Sequence, residues 1–245
     1  MVANPDLRGH TALVTGSATR VGRELLLRIA DCGADVVVQY RESEAEAVAT
    51  AEDARERGVA AATVHGDITD PERVDQLFTA AETELDSVDI LVNNVGNFDA
   101  RHWEDIEWDA WRSVVESTFY GTVLCSRRAL PAMRSQKWGR IVNIGFADSD
   151  RMHAAPENFP YFVAKTGVLM FTRMLAGDTQ DDGITVNAVS PFAVENTISD
   201  VDDFPRGRAA SFAELAAPLL FFLSDQAGYI SGENVAVDGG RLTEL

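Results

Sequence analysis

The sequence predicts an α/β fold: one doubly wound domain over residues 1–245, with a seven-stranded parallel sheet and helices on both faces. Three observations point there. Seven short apolar runs rich in β-branched residues recur along the chain, longer segments with helical spacing separate them, and glycine, asparagine and aspartate gather where the runs end. Strands that are apolar throughout and alternate with helices belong to a parallel sheet covered on both sides. Its crossovers should be right-handed.

The first run, TALVT (11–15), leads into TGSATRVGRE (15–24) and a segment in which Val21, Leu25, Leu26 and Ile29 fall near one face. A strand, a tight glycine turn and a helix start form a dinucleotide-binding arrangement. Gly16 permits the turn, Gly22 lets the helix pack closely, and the amides of the helix start face a pyrophosphate. The second run, DVVVQY (35–40), ends in Gln39, Tyr40, Arg41 and Ser43 rather than in the acid that grips a free ribose 2′-hydroxyl. With Arg20 and Arg23 adding positive charge nearby, this cluster suits a 2′-phosphate, so NADPH is expected over NADH. Glu42 and Glu44 are expected to point to water.

The third run, AATVHG (61–66), is followed by Asp67, placed to hydrogen-bond an adenine amino group. The fourth, DILVNN (89–94), brings Asn93, Asn94 and Gly96 to its end. Turns alone explain either motif. Their common position, at the carboxyl ends of strands where open α/β sheets bind ligands, favours the binding reading. GRIVNIG (139–145), GITVNAV (183–189) and NVAV (234–237) complete the sheet. Tyr161 and Lys165 in YFVAK are spaced i, i+4 on a helix and share a face. A neighbouring ammonium, helped by the positive charge of an oxidised nicotinamide, should bring the phenol's pKa down from near 10 towards working pH.

Bulk properties set the limits. Apolar residues make up 46% of the chain, enough for a large core. No run of about 18 apolar residues suggests a membrane span, and the opening MVANPDLRGH lacks the pattern of a signal peptide. Cys32 and Cys125 are too few for a disulfide framework, and no histidine–carboxylate spacing suggests a metal. A cytoplasmic location is expected. The net charge of -18 disfavours nucleic acid as a partner. Lysine occurs only at positions 137 and 165, and the acid excess is spread along the chain. This composition suggests a high-salt cytoplasm, where carboxylates keep the surface soluble and salt screens their repulsion.

Taken in order, TGSATRVG, GDITD, NNVG, YFVAK, ITVNAVSP and FFLSDQAGYISGENVAVDGG resemble the short-chain dehydrogenase/reductase family over nearly the whole chain. The resemblance implies a Rossmann-type fold, hydride transfer to or from a nicotinamide, a small-molecule substrate and a homotetramer or homodimer. It implies cofactor contacts at Gly16, Ser17, Thr19, Arg20, Val21, Gly22, Tyr40, Arg41, Ser43, Asp67, Ile68, Asn94, Val95, Gly96, Tyr161, Lys165, Pro191 and Val194. Tyr161 is then the proton donor and Lys165 its electrostatic partner, which also holds the nicotinamide ribose. Arg20 replaces a glycine of the family pattern, as in the pteridine reductase branch, which the ending VDGGRL also resembles.

Two departures stand out. Phe146 occupies the usual place of a serine donor, and Thr118 that of an asparagine. Phenylalanine cannot donate a hydrogen bond. Tyr161 follows Phe146 by fifteen residues, against about thirteen in the family pattern, which suggests a small insertion. Asp148 and Ser149 are then candidate substitute donors. Phe98, Phe146 and Phe192 are expected to line the substrate side, Phe98 either sandwiching a flat ring or packing on a loop with Trp103. His102 and His153 are read as loop residues or substrate contacts. The short acidic connection after SPFAVENT, with Asp200, Asp202 and Asp203, predicts an open pocket that repels acidic carriers. These features favour a pterin or dihydrofolate-like substrate over the alternative, 3-oxoacyl-ACP or -CoA reduction. A catalytically weak NADP(H)-binding sensor or scaffold is the remaining reading.

Overall fold

The computed structural model describes residues 4–147, 149–151, 155–196 and 204–241. Seven strands form one sheet: β1 (Thr11–Val14), β2 (Asp35–Tyr40), β3 (Ala61–His65), β4 (Ile90–Asn93), β5 (Gly139–Ile144), β6 (Ile184–Pro191) and β7 (Asn234–Val237). All are parallel, in the order β3-β2-β1-β4-β5-β6-β7. The main helices between them are α1 (Arg20–Ala30), α2 (Glu44–Arg55), α3 (Pro71–Glu84), α4 (Trp108–Val115), α5 (Gly121–Gln136), α6 (Phe159–Asp178) and α7 (Phe212–Leu223). Every predicted strand is present, with ends within two residues of the sequence reading.

Period-two alternation within the strands sorts the core into two layers. Val36, Val38, Val92 and Val142 point to one face and pack with Leu25, Ile29, Leu215 and Phe222 from α1 and α7. Leu13, Val37, Leu91 and Ile141 point to the other and meet Leu77, Phe78, Met133 and Leu175 from α3, α5 and α6. Local chemistry fixes the helix starts. Pro71 sits in the first turn of α3 and the Asp70 carboxylate accepts from the Glu72 and Arg73 amides; Ser211 and Glu214 form a reciprocal capping box on α7. No helix among the described residues is long and apolar enough to cross a membrane.

The strand order reverses between β1 and β4: the chain runs outward from β1 to β3, then returns to continue on the other side. The loops leaving the carboxyl ends of β1 and β4 therefore diverge and leave a crevice, the place where open α/β sheets take ligands.

Candidate active site

The crevice is a cleft of about 710 Å³ whose lining runs from Gly16, Arg20 and Gly22 to Tyr161, Lys165 and Phe192. Its volume lies in the range of about 300–1,000 Å³ usual for small-molecule sites. A second pocket of about 240 Å³ shares Gly16, Thr19, Val95 and Asn97 with it and is otherwise bounded by Tyr40, Arg41, Asp67, Ser117 and their neighbours. Of the eighteen cofactor positions inferred from the sequence, all but Ser17 line one of these two spaces.

Hydrogen bonds hold the floor together. Asn94 donates its amide N–H to Thr15 Oγ1 at 2.9 Å and its Nδ2 to the Thr15 carbonyl at 3.0 Å, tying the β4 exit to the β1 exit. Gly16, at φ +64°, donates its N–H to Gln39 Oε1 at 2.7 Å, and Gln39 Nε2 donates to the Gly66 carbonyl at 2.7 Å. Gln39 therefore clamps three strand ends and is buried. An amide inside an otherwise apolar strand is the sequence signal for this role. A Cβ on Gly22 would collide with the Gly16 carbonyl and approach Asn94 Nδ2 to 2.7 Å. The close packing expected of this glycine is present, and the cradle beside it fits a dinucleotide's phosphates.

Three details of the nucleotide end differ from expectation. Ser17 is fully buried beneath the cleft, where its hydroxyl accepts the Gln39 amide N–H at 3.2 Å, so it supports the turn instead of facing a ligand. Arg23 pairs with Glu24 at 2.9 Å and with Asp53, so its charge is directed away from the pocket. Glu42 pairs with Arg41 at 3.1 Å instead of only meeting water, and Asp67 lies 3.7 Å from the same guanidinium. Arg20 holds φ 51°, the left-handed conformation that favours glycine. This matches its place where the family pattern has a glycine.

At the other end, the chain enters α6 through Asn158 at φ 56° and Pro160 in the first turn. Tyr161 and Lys165 project from one face into the cleft. Lys165 is 2% exposed, donates to the Ile144 carbonyl at 2.5 Å, and places Nζ 5.4 Å from the centre of the Tyr161 ring. Burial in these apolar surroundings lowers the Lys165 pKa to about 7 and raises that of Tyr161 above its usual value. From the chain's own groups alone, desolvation pushes the Tyr161 pKa up; the lowering expected from the sequence counts an oxidised nicotinamide's charge beside the ammonium. Gly96 lies against the pair, and a Cβ there would come within 3.2 Å of Lys165 Nζ and of Tyr161 Cε2.

Aromatic rings surround the tyrosine. Phe98 meets it edge-on at 5.7 Å and Phe146 at 5.6 Å, while Phe146 also touches Phe162 at 5.2 Å and Phe192 at 6.4 Å. Phe98, Phe146 and Phe192 all line the cleft, as expected of the substrate side. Ser149 does not reach it. The residue begins a short 3-10 turn (Ser149–Arg151), is fully buried, and accepts the Thr166 hydroxyl on its carbonyl at 3.2 Å. As a substitute donor it is therefore misplaced. Asp148, His153, Asp200, Asp202 and Asp203 lie outside the described residues. Thr118 is fully buried in a π-helical turn (Glu116–Tyr120) between α4 and α5, and its hydroxyl meets no partner among the described residues. His102 caps the short turn Trp103–Asp105 and lies away from the cleft lining.

Comparison with known proteins agrees with this geometry. The family described as Enoyl-(Acyl carrier protein) reductase matches residues 16–241. The chain is similar to a 3-oxoacyl-acyl-carrier-protein reductase from Aquifex aeolicus, 31% identical over 96% of this chain and 98% of that protein. It is also similar to a 3beta-hydroxysteroid dehydrogenase from Eggerthella lenta, 34% identical over 96% of this chain and 94% of the other. Among solved structures, a gluconate 5-dehydrogenase from Burkholderia cenocepacia in complex with NADP and tartrate superposes with a TM-score of 0.88. That pair is 28% identical and covers 96% of this chain and 95% of the other.

Proposed function

The chain belongs to the short-chain dehydrogenase/reductase family, and from that premise we propose that it reduces a carbonyl group with NADPH, a 3-oxoacyl thioester being the substrate to try first. The observation that carries the reading is the Tyr161–Lys165 pair, facing a cleft that Gly96 keeps open. Relatives named for 3-oxoacyl reduction support this substrate better than the pterin expected from Arg20 and VDGGRL. Arg41, Ser43 and Arg20 at the pocket margins support NADPH over NADH.

Gly16, Arg20, Gly22, Asn94 and Gly96 would hold the dinucleotide, whose reduced nicotinamide would supply the hydride for the carbonyl carbon. Tyr161 gives its phenolic proton to the carbonyl oxygen, so the products are the alcohol and the oxidised cofactor. Burial suits Tyr161 to that direction, because it keeps the phenol protonated until the oxygen gains electron density. Lys165, its amine held on the Ile144 carbonyl beside the Tyr161 ring, supports the tyrosine electrostatically as the proton leaves. Phe98, Phe146 and Phe192 exclude water and give an apolar wall on which the substrate lies.

Exposed apolar side chains on α4 to α6 (Trp108, Tyr120, Val163, Met170 and Met174) and, elsewhere, Phe221, Tyr229 and Val235 support a homotetramer with two kinds of interface. The charge of -18 supports a role in a high-salt cytoplasm. Light scattering across a KCl series tests both statements: a monomer at all salt concentrations, with no gain in thermal stability, contradicts them. For the activity, acetoacetyl-CoA and a dihydropterin are offered side by side with NADPH or NADH. Oxidation of NADPH with the thioester is expected, and preference for the pterin or for NADH would overturn the corresponding part.

A further inference from the structure

The wall beside Tyr161 is aromatic. Phe98 and Phe146 meet its ring edge-on at 5.7 and 5.6 Å, with planes at 71° and 70°. Phe146 is held in turn by Phe162 at 5.2 Å and by Phe192 at 6.4 Å. The guanidinium carbon of Arg241 lies 3.8 Å from the centre of the Phe192 ring. Contacts of this kind fix the orientations of Phe146 and Phe192 before any ligand arrives. Phe98 differs from them: it lines the cleft and is 59% exposed, so much of its surface stays in water beside the proton donor.

The charged side chains in the described lining of the cleft are Arg20, at the nucleotide end, and Lys165, held on the Ile144 carbonyl. A group attached to a carbonyl whose oxygen faces the Tyr161 hydroxyl comes next to Phe98 and Phe146, the rings in contact with that tyrosine. Aromatic rings prefer offset-stacked or edge-on neighbours, and each such pair adds about two- to tenfold in affinity beyond what the buried area gives. A saturated ring of the same carbon count covers a similar apolar surface. It lacks the flat, electron-rich face and the positive edge that make these pairs.

We propose that Phe98, Phe146 and Phe192 determine specificity by selecting a carbonyl substrate with a planar aromatic ring close to its reacting carbon. The proposal rests on the carbonyl-reductase reading above and narrows its substrate class. Phe146 stands where the family pattern has a serine, so this wall holds its ligand through ring contact instead of a hydrogen bond. The ring belongs either to a free ketone or to the acyl group of a thioester. Both are recognised by the same chemistry.

Two matched pairs test it with NADPH: 4-phenylbutan-2-one against 4-cyclohexylbutan-2-one, and 3-oxo-5-phenylpentanoyl-CoA against its 5-cyclohexyl counterpart. Within each pair the members share the carbon count and the distance from ring to carbonyl, and differ in the planarity of the ring. In the wild type, kcat/KM for the phenyl member of at least one pair is expected to be about tenfold or more above that of the cyclohexyl member. Preference confined to the first pair identifies a free ketone, and to the second a thioester. Phe98→Leu, at an exposed position outside the core, and Phe146→Leu should each cut the ratio about threefold or more. Ratios below tenfold in both wild-type pairs, or a ratio that either variant keeps, overturn the ring preference and leave the reductase reading intact. Absence of turnover with all four compounds overturns the reductase reading, and the ring preference with it.

Discussion

The ring of Phe146 meets the ring of Tyr161 edge-on, with centroids 5.6 Å apart and planes at 70°. An aromatic edge thus occupies the place where the family pattern has a serine hydroxyl, and none of the described residues hydrogen-bonds the Tyr161 hydroxyl. Replacing Phe146 with serine restores a donor beside the reacting oxygen. One added hydrogen bond in the transition state is worth about 1 kcal/mol, so kcat for a small ketone should rise about five- to tenfold. Loss of a part-buried ring should cost about 1–3 kcal/mol of stability. Steady-state kinetics with a parallel melting curve read both effects. A fall in kcat would assign the ring contact itself a role in holding the substrate.

Gly96 separates the cofactor side of the cleft from the catalytic pair. Because a Cβ there would press on Lys165 and Tyr161, Gly96→Ala should weaken NADPH binding tenfold or more. It should leave global stability within about 1 kcal/mol of wild type, because the new contacts are at 3.2 Å and a shift of a few tenths of an ångström relieves them. Fluorescence titration of NADPH checks the first statement and urea denaturation the second.

Lys165 couples protonation to stability. Its folded pKa of about 7 lies below the unfolded value of about 10.5. Below pH 7 both states carry the proton, and the native state bears the cost of burying the charge. Between pH 7 and 10.5 the unfolded chain alone carries it, so this group's contribution to stability rises with pH. From pH 7 to 9 the cofactor-free protein should gain about 2 kcal/mol relative to Lys165→Met. Denaturant titrations of both proteins at the two pH values measure the difference. A constant difference would show that the amine is not desolvated.

Gln39 carries a structural prediction. Its side chain satisfies the Gly16 amide and the Gly66 carbonyl, each at 2.7 Å. Gln39→Leu leaves both groups without that partner and should cost about 2–4 kcal/mol. It should also raise KM for NADPH more than it lowers kcat, since the turn it holds is on the cofactor side. Equal effects on the two constants would place the damage elsewhere.

The sheet was legible because strands buried on both faces are apolar throughout, and DVVVQY and NVAV match the observed strands residue for residue. Tyr161 and Lys165 were legible because helical spacing fixes a shared face. What the sequence hid was environment. Whether an ammonium lowers a phenol's pKa depends on water, and Lys165 has lost its water to the Ile144 carbonyl and the surrounding rings. Ser149 looked available because loop polarity is visible in a sequence, whereas its burial under α6 depends on a turn that no local signal announces. Arg23 shows the same limit: its distant partner Asp53 lies thirty residues away on α2.

The central claim is that Tyr161 delivers the proton in a carbonyl reduction. The direct measurement is NADPH affinity and single-turnover reduction of acetoacetyl-CoA by the wild type and by Tyr161→Phe. The account predicts NADPH affinity within about threefold for the two proteins and a loss of about 10²–10⁴-fold in the rate of the variant. A variant that reduces the substrate as fast as the wild type, or a wild type that binds NADPH and turns over no carbonyl substrate, would contradict it.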